Sequence, residues 1–485
     1  MSGTTGAAAL DLRAWLDEMR DVDELVDITG ADRDLEIGAI TDLNAKNHGP
    51  ALLFDEIPGF EGRGRVLSCS LSRPARLAAA LGFAPGTTAR ELVEGLQGRP
   101  AEWRRTAPDF PVEVVERGAF DTITAGEDVD LNRYPSPLWH EGDGGYYIGT
   151  GCAVLTRDRE TGWVNVGTYR VCVHDAQTLG LFIEPIHHGA IHLRQYHERG
   201  EPAPIAVSFG HHPLLYLASA MPMPFGMSEL NYAGAMAGRP VQVVAGEDTG
   251  LPLPASSELA IEGFVHPDDE LDEGPFGEFT GYFAGGRHPR PVIRVSRLYE
   301  RSNPVIYGSL PAKPPFDHSY WRATVESSLL LDDLRRAGIP DVTAVWKHEA
   351  GSANFWTVVA IKQRYAGHAQ QAGFAAITAA AGSSMGRYVV VVDDDVDVED
   401  LEEVIWCVST RTDPATSIQI VRDTPSNPLD PMLADLTKPW VTSRAVVNAC
   451  RPFDRRDTFP RVVEVSPDLA ADVRGKWAAR LGWTR

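Results

Sequence analysis

The middle of the chain consists of short runs rich in β-branched and aromatic residues, separated by turn residues. Two of these runs, Cys152–Asp158 and Trp163–His174, flank the tetrapeptide Arg-Glu-Thr-Gly, which predicts a β-hairpin. Further strands are predicted at Ile205–Phe209, Val241–Val244, Leu259–Val265, Val292–Tyr299 and Val305–Leu310. Helical stretches such as Pro213–Met221 interrupt them. Several short strands at this spacing favour a β-barrel or β-sandwich core.

The sequence on either side of this core has a different pattern. Near the N-terminus, the apolar residues Leu12, Trp15, Leu16 and Met19 recur at helical spacing after Asp11, a predicted helix cap. After about residue 311, predicted helices and strands alternate, which is typical of an α/β domain. These elements are Arg322–Ala337, Val342–Lys347, Val358–Gln363, Ala366–Ala381, Arg387–Val392 and a last helix, Leu469–Leu481. We therefore expect an α+β or α/β multidomain protein with an N-terminal α/β region at 1–115, a central barrel at 116–310 and a C-terminal α/β domain at 311–485.

Charge and targeting signals restrict the partners. Lys and Arg number 45 against 67 Asp and Glu, a formal net charge of −22, which argues against nucleic acid and anionic membranes. An anionic ligand then needs a local positive site. The five cysteines are scattered without a C-x-x-C pair, and neither a signal peptide nor an apolar run of about 18 residues is evident. We expect a cytoplasmic protein with reduced thiols and no membrane partner.

The hexamer E-G-P-F-G-E, from Glu273 to Glu278, is unusual because it places two carboxylates around Pro275 and two glycines. In a regular strand, side chains five residues apart point to opposite faces. Both carboxylates reach one site only if the chain bends between them, and the Gly and Pro residues make a bend plausible. The alternative is a surface turn with two solvated acids.

Four further clusters contain residues suited to chemistry. They are N-V-G-T-Y-R at 165–170, H-H-G-A-I-H at 187–192, M-P-M-P-F-G-M-S-E at 221–229 and G-R-Y-V-V-V-V-D-D-D at 386–395. Each has a structural alternative. Arg170 could form a surface ion pair, His188 and His192 could share a helix face, and the Asp393–Asp400 run could be a solvated turn that caps the next helix. No H-E-x-x-H, P-loop, G-x-G-x-x-G or G-x-S-x-G motif is present.

Taken in order, these clusters resemble the motifs of the UbiD-like reversible decarboxylases, which use prenylated FMN. The upstream segment Tyr134–Tyr147 and the downstream segment Ile361–Ala369 also fit, so that the resemblance covers most of the chain. It implies a carboxy-lyase with an N-terminal α/β region, a central split β-barrel like that of flavin reductases, and a C-terminal α/β domain used in oligomerisation. A homodimer or higher oligomer is therefore expected.

The resemblance assigns a catalytic trio to Arg170, Glu273 and Glu278. Arg170 would bind the substrate carboxylate through its planar fork of donors. Glu278 would be the proton donor, and Glu273 would orient Arg170 and share that proton. Two carboxyl groups in one dry pocket raise each other's pKa and titrate as a coupled pair.

The resemblance also implies the cofactor contacts. Asn165, His188 and Glu229 match ligands for Mn²⁺ (or Mg²⁺) that bridges to the flavin phosphate, and K⁺ commonly lies beside it. The other matching flavin contacts are Thr168, Tyr169, Arg170, His187, Met221 and Arg387. Arg387 stands where the family often has Lys. A separate flavin prenyltransferase would supply the mature cofactor.

The substrate implied is an aromatic or heteroaromatic monocarboxylic acid, which would lose CO2 through a covalent adduct with the cofactor. The matching pocket residues are Phe316, His318, Trp321 and Leu433. A polycyclic acid such as phenazine-1-carboxylate is favoured over indole-3-carboxylate, pyrrole-2-carboxylate or an acrylic or cinnamic-type acid. Three other classes stay open: a non-catalytic flavin-binding protein, a flavin reductase on the same barrel, and a metal-dependent hydrolase that uses His188 and Glu229.

Overall fold

Three blocks of secondary structure follow one another along the chain, and together they confirm the predicted mixed α/β multidomain architecture. The computed structural model describes residues 10–84, 86–284, 286–383, 385–433 and 439–483.

The N-terminal block packs five helices around a small sheet. Its elements are α1 (Leu12–Asp21), β1 (Leu25–Thr29), α2 (Glu36–Lys46), β2 (Ala51–Asp55), β3 (Arg65–Ser68), α3 (Pro74–Ala80), α4 (Ala89–Gly95) and α5 (Arg99–Thr106). Helix α1 begins after Asp11, whose carboxylate accepts hydrogen bonds from the backbone N–H groups of Arg13 and Ala14. The four apolar residues predicted to share a face of α1 are all buried.

The central block is dominated by an antiparallel sheet of ten strands that curls into a half-barrel. The elements of this block are β4 (Glu113–Val114), β5 (Thr122–Ala125), β6 (Tyr146–Gly149), β7 (Ala153–Arg157), β8 (Val164–Gly167), β9 (Val171–Val173), β10 (Thr178–Leu181), α6 (His188–His197), β11 (Ala203–Ser208), α7 (Pro213–Ala220), α8 (Glu229–Ala237), β12 (Gln242–Ala245), β13 (Pro252–Pro254), β14 (Leu259–Val265), β15 (Glu270–Glu273), β16 (Phe276–Gly277), β17 (Phe283–Ala284), β18 (His288–Glu300) and β19 (Val305–Tyr307). The main path of the sheet runs β6-β9-β10-β18-β14-β11-β7-β8, and β5 and β15 pair with β18.

The prediction of one continuous strand over Trp163–His174 is wrong. The hairpin of β7 and β8 forms as predicted, but the ladder stops after Gly167 and resumes at Val171 as β9. In the gap, the Thr168 N–H donates to the carbonyl of Ser219 in α7, and the Arg170 carbonyl accepts from the Phe182 N–H. These contacts to elements outside the hairpin turn the chain away from the ladder, so that Thr168 and Arg170 face a cavity.

Strand β19 does not join the central sheet. It pairs in parallel with β3, with Ile306 opposite Val66, and completes a four-stranded sheet of order β1-β2-β3-β19. The N-terminal and central blocks therefore share a sheet.

The C-terminal block is a five-stranded mixed sheet with helices packed on it. Its elements are α9 (Ser319–Arg336), β20 (Val342–Lys347), β21 (Trp356–Ile361), α10 (His368–Thr378), α11 (Ala380–Ser383), β22 (Tyr388–Asp393), α12 (Leu401–Arg411), α13 (Pro414–Ser417), β23 (Ile418–Pro425), β24 (Val441–Asn448) and α14 (Pro467–Leu481). The acidic run after β22 behaves as the structural alternative predicts, because the Asp400 carboxylate caps α12. Asp393, in contrast, is buried against Arg411 and Arg451.

All five cysteines are buried and unpaired. Within the described parts of the chain, no helix is long and apolar enough to cross a membrane.

Candidate active site

A cavity of about 580 Å³ lies where the central sheet meets α9 and the segment after β23. This volume is within the range of small-molecule and cofactor sites, roughly 300–1,000 Å³. Most residues singled out in the sequence line this one cavity, namely Asn165, Thr168, Tyr169, Arg170, His187, His188, Met221, Glu229, Glu278, His318 and Trp321. They come from both the central and the C-terminal block.

Arg170 lies between the two carboxylates of the hexamer. Its Nε and Nη2 donate to Glu273 Oε1 and Oε2 over 2.8 and 2.9 Å, and its Nη1 donates to Glu278 Oε1 over 2.5 Å. The guanidinium also lies 4.0 Å from the ring centroid of Phe182. A guanidinium held on three sides in this way is preorganised, so little side-chain entropy is lost when it binds a further anion.

The bend between the two carboxylates is built by glycine. Glu273 ends β15, and Gly274 has φ +89°, which an L side chain rarely adopts. Phe276 and Gly277 then form β16, which pairs with β17 and turns Glu278 back toward Arg170. Gly144 packs against this bend: its N–H donates to the Pro275 carbonyl over 2.7 Å, and a Cβ there would lie 2.0 Å from the Gly274 carbonyl oxygen.

Burial sets the protonation of Glu278. Its side chain is enclosed, and desolvation raises its pKa to about 7 against the lowering effect of Arg170. The negative charges of Glu184 and Glu273 raise it further. Glu273 differs from Glu278 because it accepts a second hydrogen bond, from the Tyr147 hydroxyl over 2.7 Å, in addition to the fork of Arg170. The structure therefore places a proton-carrying carboxyl and a fixed arginine side by side.

Asn165, His188 and Glu229 line another part of the same cavity. Glu229 is buried, and its only hydrogen bond from the described residues comes from the Val166 N–H over 2.7 Å. Desolvation raises its pKa to about 8, because no described cation compensates its charge. Burial also lowers the pKa of His188, which favours the neutral imidazole that binds metals. The donor set of amide oxygen, imidazole and carboxylate fits a divalent ion.

The remaining predicted flavin contacts fall into two groups. Thr168, Tyr169, His187 and Met221 line the cavity, with the Tyr169 and His187 rings stacked at 5.6 Å. Arg387 does not line it: its Nη2 donates to both carboxylate oxygens of Asp430 over 2.7 and 2.6 Å. Its role as a phosphate contact stays a prediction.

Two of the four predicted substrate-pocket residues line the cavity, and two do not. His318 and Trp321 line the cavity, at the start of α9, and the His318 ring nitrogen Nδ1 lies 2.9 Å from Ser309 Oγ. Phe316 is buried beneath them, with its ring centroid 4.5 Å from that of His318. Leu433 is partly buried and is not part of the lining, whereas Leu429 is.

Sequence reasoning missed three polar residues of the site: Tyr147, Glu184 and Asn427. Tyr147 lies in the upstream segment that carries the resemblance, but nothing in the sequence indicates that its hydroxyl reaches Glu273. Glu184 precedes the histidine cluster by three residues and would be taken for a solvated acid. Asn427 lies in a turn far along the chain. Only the folded structure brings Glu184 and Asn427 to one cavity and the Tyr147 hydroxyl to Glu273.

An arginine fork beside a carboxyl group of raised pKa has the chemistry to bind an anion and to transfer a proton, which an enzyme needs to add or remove a carboxylate group. The comparisons with known proteins lead to the same class. The family model described as the 3-octaprenyl-4-hydroxybenzoate carboxy-lyase Rift-related domain matches residues 113–314, and the models for its N-terminal and C-terminal domains match residues 16–96 and 319–449. The chain belongs to the UbiD family of carboxy-lyases.

Individual relatives support this assignment over nearly the full length. The chain is 35% identical to a pyrrole-2-carboxylic acid decarboxylase of Pseudomonas aeruginosa over 84% of each chain. It is 32% identical to a phenolic acid decarboxylase of a Streptomyces species, over 97% of this chain and 98% of the relative. Among solved structures, the UbiD-class enzyme HmfF from Pelotomaculum thermopropionicum in complex with FMN superposes with a TM-score of 0.82 at 30% identity, covering 95% of this chain and 99% of that one.

Proposed function

We propose that the protein catalyses the reversible, non-oxidative decarboxylation of an aromatic or heteroaromatic monocarboxylic acid, with prenylated FMN as cofactor. The observation that carries the proposal is the placement of Arg170 between Glu273 and Glu278 at the wall of the cavity. FMN and prenylated FMN are bound by the similar enzyme HmfF, which supports the choice of cofactor.

In the proposed reaction, each of these residues has a separate role. Arg170 binds the substrate carboxylate and places the carbon that bears it in the cavity. Glu273, held by Tyr147, keeps the guanidinium in that orientation. The prenylated flavin, when bound, supplies the sink for the electrons that remain when CO2 leaves. Glu278, which carries a proton near neutral pH, then delivers it to that carbon, and in the carboxylation direction it removes the same proton.

We further propose that Asn165, His188 and Glu229 hold Mn²⁺ or Mg²⁺ against the flavin phosphate, with K⁺ nearby. The buried, uncompensated carboxylate of Glu229 supports this role, because a divalent cation would satisfy it. Thr168, Tyr169, His187 and Met221 would contact the flavin from the cavity wall.

The substrate proposal follows the relatives' names. They are called pyrrole-2-carboxylic acid and phenolic acid decarboxylases, which supports single-ring acids over the polycyclic phenazine-1-carboxylate that the resemblance alone favours. We also propose a homodimer or higher oligomer, a flavin prenyltransferase as cofactor supplier, and a cytoplasmic location, where five free thiols remain reduced.

The test is native mass spectrometry with an absorbance spectrum, on protein co-expressed with a flavin prenyltransferase. We expect bound prenylated FMN with one divalent ion, release of flavin when a chelator removes that ion, and CO2 release from an aromatic acid. Folded protein that holds neither flavin nor metal would refute the proposal. Hydrolytic activity that survives complete flavin loss would instead favour the metal-dependent hydrolase.

A further inference from the structure

Glu184 is a buried carboxylate in the cavity that the reaction described above does not use. It lies in the segment between β10 and α6, is 5% exposed, and lines the same cavity as Arg170 and Glu278. Its negative charge raises the pKa of Glu278, and the positive charge of Arg170 lowers the pKa of Glu184. All three charged groups line one cavity of about 580 Å³, so a ligand that occupies it is exposed to all three charges.

Of the two Glu184 carboxylate oxygens, only Oε2 accepts a hydrogen bond from the described residues. Asn427 donates from Nδ2 to Oε2 over 3.2 Å, and His187 Nε2 lies 3.8 Å from the same oxygen. Asn427 is held in this orientation because its Oδ1 accepts from the Leu429 N–H over 2.8 Å. For Oε1, the described residues provide no hydrogen-bond donor.

Oε1 is not among the fully buried polar atoms and is open to the cavity, where it can accept a hydrogen bond from a ligand. Burial raises the pKa of Glu184, because the enclosed carboxylate is less well solvated than in water. This lost solvation is a cost to the charged form. A ligand that donates a hydrogen bond to Oε1 would compensate it. A ligand with only an acceptor or a C–H group at that place would not.

We propose that Glu184 is a specificity-determining residue, whose carboxylate accepts a hydrogen bond from a ring N–H or O–H group of the substrate. This inference rests on the proposed function and refines it. Arg170 holds the carboxylate of the acid, and Glu184 selects rings of the pyrrole, indole or phenol type over rings without a donor. Sites built to bind a substrate donor reject the analogue that lacks it more strongly than apolar pockets reject a shape change.

The experiment uses matched acids that differ in the donor. The pairs are pyrrole-2-carboxylate with furan-2-carboxylate, indole-3-carboxylate with benzofuran-3-carboxylate, and 4-hydroxybenzoate with benzoate. Dissociation constants are measured by calorimetric titration of the flavin-loaded enzyme, so that the readout does not depend on turnover. We expect the donor-bearing acid to bind at least about tenfold more tightly in one or more pairs.

Three variants distinguish a direct contact of Glu184 with the substrate from a purely structural role. Glu184→Leu is expected to bring the preferred pair to within about twofold of equal affinity, whereas Glu198→Leu, at an exposed glutamate after α6, is expected to keep the wild-type preference. Asn427→Ala tests whether Glu184 only ties two parts of the chain together. If so, Asn427→Ala and Glu184→Leu would weaken both members of a pair equally.

Equal affinity within all three pairs in the wild-type enzyme would overturn the inference, even if Glu184→Leu does not fold. Preservation of the preference in a folded Glu184→Leu variant would overturn it as well. The proposed function is judged separately: an enzyme that releases CO2 without any donor preference refutes only the role of Glu184. A protein that holds no flavin and decarboxylates no acid refutes both.

Discussion

Arg170 is surrounded by more carboxyl groups than its single positive charge can neutralise. One guanidinium contacts Glu273 and Glu278, and Glu184 lies in the same electrostatic environment. A substrate carboxylate would add a fourth negative group beside the guanidinium that contacts both glutamates. Like charges in a dry site cannot all stay ionised, so at least one carboxyl takes up a proton. Desolvation raises the pKa of Glu278 to about 7, which makes this carboxyl group the best candidate for the proton carrier.

Glu278→Gln is the direct test of this assignment. The amide keeps the size of the side chain and can still contact Arg170, but it has no acidic proton. We expect folding and flavin binding to be retained and the decarboxylation kcat to fall by about 10²- to 10⁴-fold. CO2 release and flavin occupancy are measured on the same sample. Glu270→Gln, at an exposed position of β15, is the control, and full activity in Glu278→Gln would contradict the proton-donor role.

The raised pKa of Glu278 also predicts the direction of the pH dependence. The donor must be protonated, and its pKa of about 7 in the folded protein lies above the ordinary 4.5. The decarboxylation kcat is therefore expected to be level below about pH 7 and to fall about tenfold per pH unit above it. Because the folded state binds this proton more tightly than the unfolded chain, the free energy of unfolding should also decrease between pH 4.5 and 7. A rate that rises through pH 7 would exclude Glu278 as the acid.

At the scale of elements, the two glutamates of the hexamer are positioned by a tight turn and two short strands, β16 and β17. Gly144→Ala tests this, because its Cβ would lie 2.0 Å from the carbonyl oxygen of Gly274, which is backbone and cannot move aside. We expect displacement of Glu273 and Glu278, a loss of more than about tenfold in kcat/KM, and a decrease of about 1–3 kcal/mol in the free energy of unfolding.

Gly475→Ala is the control for that variant, since nothing lies within 4 Å of the added Cβ in α14. Alanine replaces glycine inside a helix there, so stability should stay equal or rise by about 0.5–1 kcal/mol. Both variants are compared by thermal and urea unfolding and by steady-state kinetics. Equal activity in the two variants would mean that the bend tolerates the substitution.

Elements that depend on neighbouring residues could be predicted from the sequence, whereas those that depend on contacts between distant segments could not. Leu259–Val265 and Val342–Lys347 were predicted with their observed bounds, because both are short runs rich in β-branched and aromatic residues, which is a local signal. The gap at Thr168–Arg170 was missed, because its cause is a hydrogen bond to α7, more than one element away. Glu184 and Asn427 were missed for the same reason, since their contact joins two distant segments.

At the scale of the whole molecule, the described part of the chain leaves the C-terminal helix α14 largely uncovered. None of its residues is buried, and Trp477 and Leu481, one turn apart, are 43% and 54% exposed. Apolar surface of this kind marks an interaction site. With the proposed oligomer, we expect the double substitution Trp477→Glu and Leu481→Glu to give a monomer in light scattering coupled to gel filtration.

Ala479→Glu, on the opposite side of α14, also adds a negative charge to the helix and should leave the mass unchanged. An unchanged mass in the double variant would place the subunit contact elsewhere. A wild-type protein that is already a monomer at micromolar concentration would contradict the oligomer itself.

The position of β19 has a consequence for how the protein is made. During synthesis, β1, β2 and β3 leave the ribosome early. Their sheet lacks its last strand until Val305–Tyr307 has emerged, which happens after the half-barrel has been synthesised. The edge of β3 is exposed during that interval, and such edges template mispairing. Nascent chains stalled before residue 305 should therefore depend on chaperones more than chains stalled after it. We therefore expect the N-terminal and central blocks to fold together, because they share one sheet even though two separate family models cover them.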